Sequence, residues 1–214
     1  MSLTPCRIGV LVSGGGTNLQ SIIDHIHLGE CKATVECVIS NVPDVYALTR
    51  AQQASIPQHV VSHKNYASRA SFEKALINVL QTHDVDVVVL AGFMRVLENT
   101  FISHFPGRIL NIHPSLLPKY PGLHTHQRAL ESGDSSHGCS VHFATMELDG
   151  GPVILQASVP VLEDDTAEIL AKRVLEKEHI IYPKCVQWLC EGTIHYQNGD
   201  AYYKDKKLTA PLQL

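Results

Sequence analysis

Three groups of residues in this 214-residue chain have types and spacings that could do chemistry. The first is the run Asn111-Ile112-His113-Pro114-Ser115-Leu116-Leu117-Pro118. Residues at i and i+2 of a strand share one face, so the Asn111 amide and the His113 imidazole can converge on one small volume. An amide donor can hold a developing oxyanion, and an imidazole can move a proton near neutral pH. The second group, Asp149-Gly150-Gly151-Pro152, leaves an acidic side chain at a glycine turn. That carboxylate either serves the turn itself or stands near an imidazole and favours its charged form. The third is Ser13-Gly14-Gly15-Gly16-Thr17-Asn18. Glycines there let backbone amides approach a ligand, and a following helix N-terminus adds partial positive charge, so a phosphate is the natural guest. Leu19 stands where a dinucleotide fingerprint starting at Gly14 needs its third glycine, and no Walker lysine follows, so a mononucleotide-like phosphate is expected. The plainer alternative is a tight turn with Asn18 as a helix cap.

These groups need a scaffold, and the chain alternates strand-like and helix-like segments as a parallel sheet with crossover helices does. Arg7 to Ser13 reads as a first strand, apolar on both faces, followed by the glycine turn and a helix from about Asn18 to Leu28. Strands follow at Thr34 to Ser40, Gln58 to Val61, Val85 to Leu90 and Arg108 to Ile112, with helices at Val45 to Ala54 and Ser68 to Thr82. The Arg108 to Ile112 strand delivers Asn111 and His113 to its carboxyl end, where open α/β sheets bind ligands. Pro114 to Gly122 is a proline-rich loop without a regular element. Ser140 to Ala144 and Val153 to Val161 read as antiparallel strands about the Asp149 turn. Asp164 or Asp165 is expected to cap a long helix through Cys190, bent or interrupted at Pro183. Thr193 to Tyr203 suggests a weak hairpin about Asn198-Gly199, and the last residues are expected to fray. The fold class is therefore α/β, a Rossmann-like open, mostly parallel sheet with antiparallel strands in the C-terminal half.

Composition narrows the function classes. With 44% hydrophobic residues the chain can bury one sizeable core, and residues 1–214 are expected to form one domain, with a phosphate-binding half (about 6–105) and a catalytic half (about 106–214). A net charge of -4 disfavours a non-specific nucleic-acid binder. Met1 to Arg7 shows no leader pattern, and the run Ile8 to Val12 is far short of the roughly 20 apolar residues that span a bilayer, so no membrane partner is expected. The six cysteines are irregularly spaced with no C-x-x-C pair, which fits reduced thiols in a cytoplasm. His124 and His126 form an H-x-H that lacks the other ligands of a catalytic zinc, and no metal is expected. No G-x-S-x-G competes for the nucleophile role.

On these motifs the chain resembles the glycinamide ribonucleotide transformylases (phosphoribosylglycinamide formyltransferases) of the folate-dependent formyltransferase family. The likeness takes in Ser13 to Leu19, Arg69, Leu90 to Arg95, Asn111 to Gly122, His137-Gly138, Asp149 to Gln156, Glu178-His179 and Tyr182-Pro183. The resemblance implies formyl transfer from 10-formyltetrahydrofolate, a co-substrate, to the amine of glycinamide ribonucleotide in purine synthesis, with no metal. It implies catalysis by Asn111, His113 and Asp149, in which Asn111 and protonated His113 hold the oxyanion and Asp149 keeps His113 charged. It further implies that Gly16, Thr17 and Asn18 hold the phosphate and Glu178 the ribose hydroxyls. The folate would lie against Met94, Arg95, Val96 and Leu97, Asn111, and the backbone of Thr145, Met146, Glu147, Leu148 and Asp149, with Arg69 near its benzoyl-glutamate end. By plainer readings, Arg69 is a solvated helix charge and Met94 to Leu97 are core.

One departure concerns the phosphate. Some members carry a lysine where this chain has Leu175, so that either Lys172 or Lys177 substitutes or the glycine loop suffices. The tail from Tyr202 to Leu214 has little match. Two relatives with the same Asn, His and Asp arrangement, 10-formyltetrahydrofolate hydrolase and methionyl-tRNA formyltransferase, are normally longer, and 214 residues are expected to leave no room for their extra domains. A non-catalytic nucleotide-binding module is the remaining alternative. Partners are expected to be small molecules, with the chain a cytoplasmic monomer or homodimer.

Overall fold

The chain's first strand, β1 (Cys6–Val12), is buried along its last five residues and lies inside an eight-stranded sheet, two strands from one edge. The computed structural model describes residues 4–214, so the reading of the leader-free start from Met1 falls partly outside them. β1 is followed by α1 (Thr17–His27), β2 (Ala33–Ser40), α2 (Tyr46–Gln53), β3 (Gln58–Val60), α3 (Arg69–Thr82) and β4 (Val87–Leu90). Then come α4 (Asn99–His104), β5 (Ile109–His113), α5 (Thr125–Glu131), β6 (Ser136–Phe143), β7 (Val153–Pro160) and α6 (Ala167–Cys190). The chain ends with β8 (Ile194–Gln197), β9 (Asp200–Tyr203), β10 (Lys206–Lys207) and β11 (Leu212–Gln213).

The large sheet has the order β11-β7-β6-β5-β4-β1-β2-β3. β1 to β5 are mutually parallel, whereas β6 runs antiparallel to both β5 and β7. This is the expected α/β fold, a mostly parallel sheet whose C-terminal half carries antiparallel strands. Strand order reverses between β1 and β4, and such a switch point leaves a crevice at the carboxyl ends of the strands. The glycine loop leaves β1 on one side of it and Ala91 to Leu97 leaves β4 on the other.

Alternation along the strands feeds two cores. Ile8, Val10 and Val12 face α1 and α6 residues such as Leu19, Ile22, Val174 and Tyr182, whereas Leu11, Val88 and Leu90 face α3 and α4 residues such as Leu76, Leu80 and Phe101. Tyr182, wholly buried, reaches back to the Leu90 and Leu110 carbonyls at 2.8 and 3.0 Å and so joins α6 to β4 and β5.

Several sequence expectations are corrected. α6 is capped by Thr166, whose hydroxyl accepts from Ile169 N, while Asp165 takes the Leu162 N–H and an ion pair with Arg173 at 2.6 Å. Pro183 lies within α6 without ending it. The C-terminus does not fray, because β11 pairs in parallel with β7 through Leu212 and Gln213. Asn18 is not the cap of α1; that position belongs to Gly16, in left-handed backbone (φ 71) that glycine adopts without strain. A side chain there would also meet Ala47 at 2.6 Å. α4 and α5, of six and seven residues, were not anticipated. The hairpin about Asn198-Gly199 is present as β8 and β9, extended by β10 into a small second sheet. Among the described residues no helix is long and apolar enough to cross a membrane.

Candidate active site

Asn111 and His113 close β5, and the strand's alternation turns both toward one volume, as their spacing predicts. Asp149 comes from the β6–β7 connection and enters the same volume with its side chain 7% exposed. Its backbone is left-handed (φ 52), and the turn that holds it depends on Gly151, where an added Cβ would lie 1.8 Å from the Phe143 carbonyl. Asp149 Oδ2 accepts from Gly122 N at 2.8 Å and lies 3.4 Å from His113 Nδ1. Asn111 Nδ2 stands 3.4 Å from Asp149 Oδ1. His113 Nε2 meets the Tyr120 carbonyl at 2.8 Å, so both of its ring nitrogens face oxygen acceptors, a situation satisfied in full only by the charged ring.

The loop carrying Tyr120 is held from beneath by a buried polar network. Ser140 Oγ donates to the Ser115 carbonyl at 2.6 Å and accepts from Leu117 N at 3.0 Å. The Gln156 amide donates to the Leu117 carbonyl and to Ser140 Oγ, both at 2.9 Å. A loop whose backbone groups are satisfied this way keeps one course, which fixes where Tyr120 meets His113 and Gly122 meets Asp149.

Sequence reasoning missed His142. It pairs in register with Asn111 across β5 and β6, and its Nε2 lies 3.1 Å from Asn111 Nδ2. His142 Nδ1 lies 2.9 Å from the Phe143 carbonyl and so carries the proton, leaving Nε2 to accept from Asn111. Burial holds the His142 imidazole below its ordinary range, in keeping with a neutral ring. The one available signal was that β6 carries polar residues, His137, Ser140 and His142, along a buried strand.

These side chains border a cavity of about 830 Å³ at the switch-point crevice. Met94, Arg95, Val96 and Leu97 line one wall and Thr145, Met146, Glu147, Leu148 and Asp149 another, and Asn111 and His113 also face it. Met94 and Val96 are 65% and 47% exposed, so they are not core, whereas Leu97 is buried. A cavity of this size with apolar walls and few polar groups suits a drug-sized planar molecule. Arg69 is not among its lining residues: its guanidinium pairs with Glu98 at 3.2 Å, just beyond Leu97. His124 and His126 line the rim, His126 Nδ1 lies 3.1 Å from His137 Nε2, and no cluster among the described residues could hold a metal ion.

The glycine loop stands at the same switch point, outside the lining of that cavity. Gly14 and Gly15 have open space where side chains would lie. Thr17 and Asn18 open α1, and Asn18 Nδ2 donates to Glu178 Oε2 at 2.7 Å. Glu178 is buried, which pushes its carboxyl up, while the Asn18 bond opposes that. Lys172 is tied to Glu168 at 2.9 Å on the exposed face of α6. Ser13 joins the loop to the cavity wall, its Oγ donating to Asn41 Oδ1 at 2.5 Å and accepting from Met94 N at 2.8 Å.

Residues 6–186 match the formyl transferase family model. The chain belongs to the formyl transferase family. It is 50% identical over 202 residues to the phosphoribosylglycinamide formyltransferase of Escherichia coli (strain K12), covering 94% of this chain and 95% of that one. The structure of the phosphoribosylglycinamide formyltransferase of Coxiella burnetii superposes with a TM-score of 0.93 at 47% identity, over 97% of this chain and 99% of the other. A formyltetrahydrofolate deformylase from Pseudomonas syringae shares the fold alone, at 23% identity, a TM-score of 0.87 and coverage of 94% of this chain and 66% of its own. In this formyl transferase the structure thus brings Asn111, His113 and Asp149 to one cavity wall and joins Asn18 to Glu178, while Arg69 stands apart.

Proposed function

We propose that this chain transfers the formyl group of 10-formyltetrahydrofolate to the amine of glycinamide ribonucleotide, giving formylglycinamide ribonucleotide in purine synthesis. The observation that carries this reading is the convergence of Asn111, His113 and Asp149 on an 830 Å³ cavity at the switch point, beside which the glycine loop leaves β1. The cavity suits a planar folate and the loop an acceptor bearing a phosphate.

The roles are those that the resemblance implies, and the geometry supports them. The amine nitrogen attacks the formyl carbon, and negative charge grows on the formyl oxygen. Asn111 and charged His113 are the donors for that oxygen, His113 exchanging one of its two N–H contacts, to the Tyr120 carbonyl or to Asp149, for the substrate. The Asn111–Asp149 contact, at 3.4 Å, is long and yields most readily to a substrate oxygen, while the His142 bond keeps the amide oriented. The carbon–nitrogen bond to the folate then breaks, and one proton passes from the amine to the departing folate nitrogen, relayed by His113 or a water held beside it. Gly16, Thr17 and Asn18 present α1's amides to the phosphate, and Glu178 Oε1, opposite the oxygen held by Asn18, faces the ribose hydroxyls. Met94 to Leu97 and Thr145 to Asp149 flank the folate, with Arg69 turning from Glu98 to its acidic tail. The partners are small molecules, and the six free thiols fit the reducing cytoplasm.

The test mixes the protein with 10-formyltetrahydrofolate, with and without glycinamide ribonucleotide, and follows deformylated folate and formate. Formyl transfer strictly dependent on the amine is expected. Formate release at the same rate without the amine would instead assign a hydrolase.

A further inference from the structure

Arg50, in the middle of α2, lies across the glycine loop. Its Nε donates to the Gly15 carbonyl at 2.9 Å and its Nη1 to Gln20 Oε1 at 3.1 Å, and the guanidinium sits 4.8 Å over the Tyr46 ring. α2 itself is seated on the loop, because Ala47 N donates to the Gly14 carbonyl at 3.1 Å and Gly16 packs against Ala47. The cation is therefore held in place by neutral groups only. Among the described residues no carboxylate pairs with it. A guanidinium has five N–H donors, and these contacts use two of them, leaving three uncommitted beside the open flank of Gly14 and Gly15.

Asn18, at the start of α1, is 8% exposed and its Oδ1 has no partner. His179 follows Glu178 on α6, its Nε2 is buried without a partner, and burial together with the nearby Arg50 charge depresses its proton affinity. Lys172 is engaged by Glu168. A phosphate monoester carries close to two negative charges, and a helix N-terminus offers only about half a unit of positive charge. The loop alone under-compensates such a guest.

Resting on the reading of a ribonucleotide acceptor, we infer that Arg50 is the counter-charge of the acceptor's phosphate, gripping it from the α2 side while the amides of Gly14 to Asn18 grip it from the α1 side. Arg50 thus decides the enzyme's preference for a phosphorylated over a dephosphorylated acceptor. The planar fork held by Gly15 and Gln20 is pre-aimed, so the contact costs little side-chain ordering.

The test compares wild type, Arg50→Gln and Arg50→Lys with glycinamide ribonucleotide and its dephosphorylated riboside. Charge-assisted contacts of this kind are worth a factor of roughly 10 to 100. Arg50→Gln should therefore raise KM for the ribonucleotide by roughly 10- to 100-fold, at near-constant KM for the formyl donor, and lower the ratio of the two acceptors' kcat/KM by the same factor. Arg50→Lys should recover part of that ratio. An equal loss on both acceptors, no change in the ratio, or a lysine variant as poor as the glutamine one would overturn the assignment. In parallel, inorganic phosphate is titrated against the amide resonances of Gly14 to Gly16; saturable shifts in wild type that weaken in Arg50→Gln are expected. If wild type binds phosphate in this way but transfers no formyl group, the proposed reaction fails and the anion site stands. If phosphate leaves these resonances unmoved, the Arg50 assignment fails.

Discussion

The Asn111 amide donates to His142 Nε2 at 3.1 Å across the β5–β6 pair, so a neutral histidine holds the carboxamide to which the proposed reaction assigns the oxyanion. His142 is 2% exposed and its other nitrogen is committed to the Phe143 carbonyl. Replacing it with alanine leaves Asn111 free to rotate, at the cost of one neutral hydrogen bond. We expect His142→Ala to lower kcat about 3- to 10-fold with little change in either KM. Steady-state kinetics with both substrates varied would check this, and an unaltered kcat would show that His142 does not orient Asn111.

His137 and His126 give the fold a dependence on acid. The His137 imidazole is 1% exposed and bonded to His126 and to the Pro114 carbonyl; burial, then the neighbouring His126, push it down to about 4. His126 is lowered too, by burial first. A group whose folded value lies below its unfolded value of about 6.5 binds more protons in the unfolded chain, so stability rises with pH across that interval. The contribution is complete above about 6.5 and is lost as pH falls toward 4. On the order of 2–3 kcal/mol of unfolding free energy should disappear over this range. Urea melts at pH 7, 5.5 and 4.5 would show the slope, and His137→Gln should flatten it. A slope of the opposite sign would refute the neutral pair.

Gly151 makes a stability prediction. An added Cβ would sit 1.8 Å from the Phe143 carbonyl, and a backbone oxygen cannot move without disturbing the β6–β7 pairing. Gly151→Ala should cost about 3 kcal/mol and also lower kcat, since Asp149 stands two residues upstream. Gly133→Ala is the contrasting control: its site is open, so only left-handed backbone strain (φ 66) of about 1–2 kcal/mol applies. Equal melting temperatures for the two variants would contradict the close-approach argument.

How much of this was legible beforehand depended on whether the signal was local. Asn111 and His113 share a face because strand geometry makes i and i+2 neighbours, and the glycine loop's place between strand and helix was readable from its own residues. His142 was not, because its meeting with Asn111 is set by the register of an antiparallel neighbour distant in sequence. Arg50 was overlooked for the same reason: α2 reaches the glycine loop only once β2 has paired beside β1. Asp164, Asp165 and Thr166 can all cap a helix, and the choice of Thr166 follows from Asp165 being taken by Arg173. β11 is two residues long and is held by backbone pairing to β7, to which residue types contribute almost no signal.

The catalytic trio itself makes the sharpest prediction. In the proposed mechanism Asn111→Ala removes one oxyanion donor and His113→Ala the other together with the proton carrier, and Asp149→Asn removes the charge beside His113 while keeping an oxygen for Gly122 N. Each should lower kcat by about 10² to 10³, and double variants should lose less than the product of the singles because the three act on one charge. Rates within two-fold of wild type for all three would place the chemistry elsewhere in the crevice.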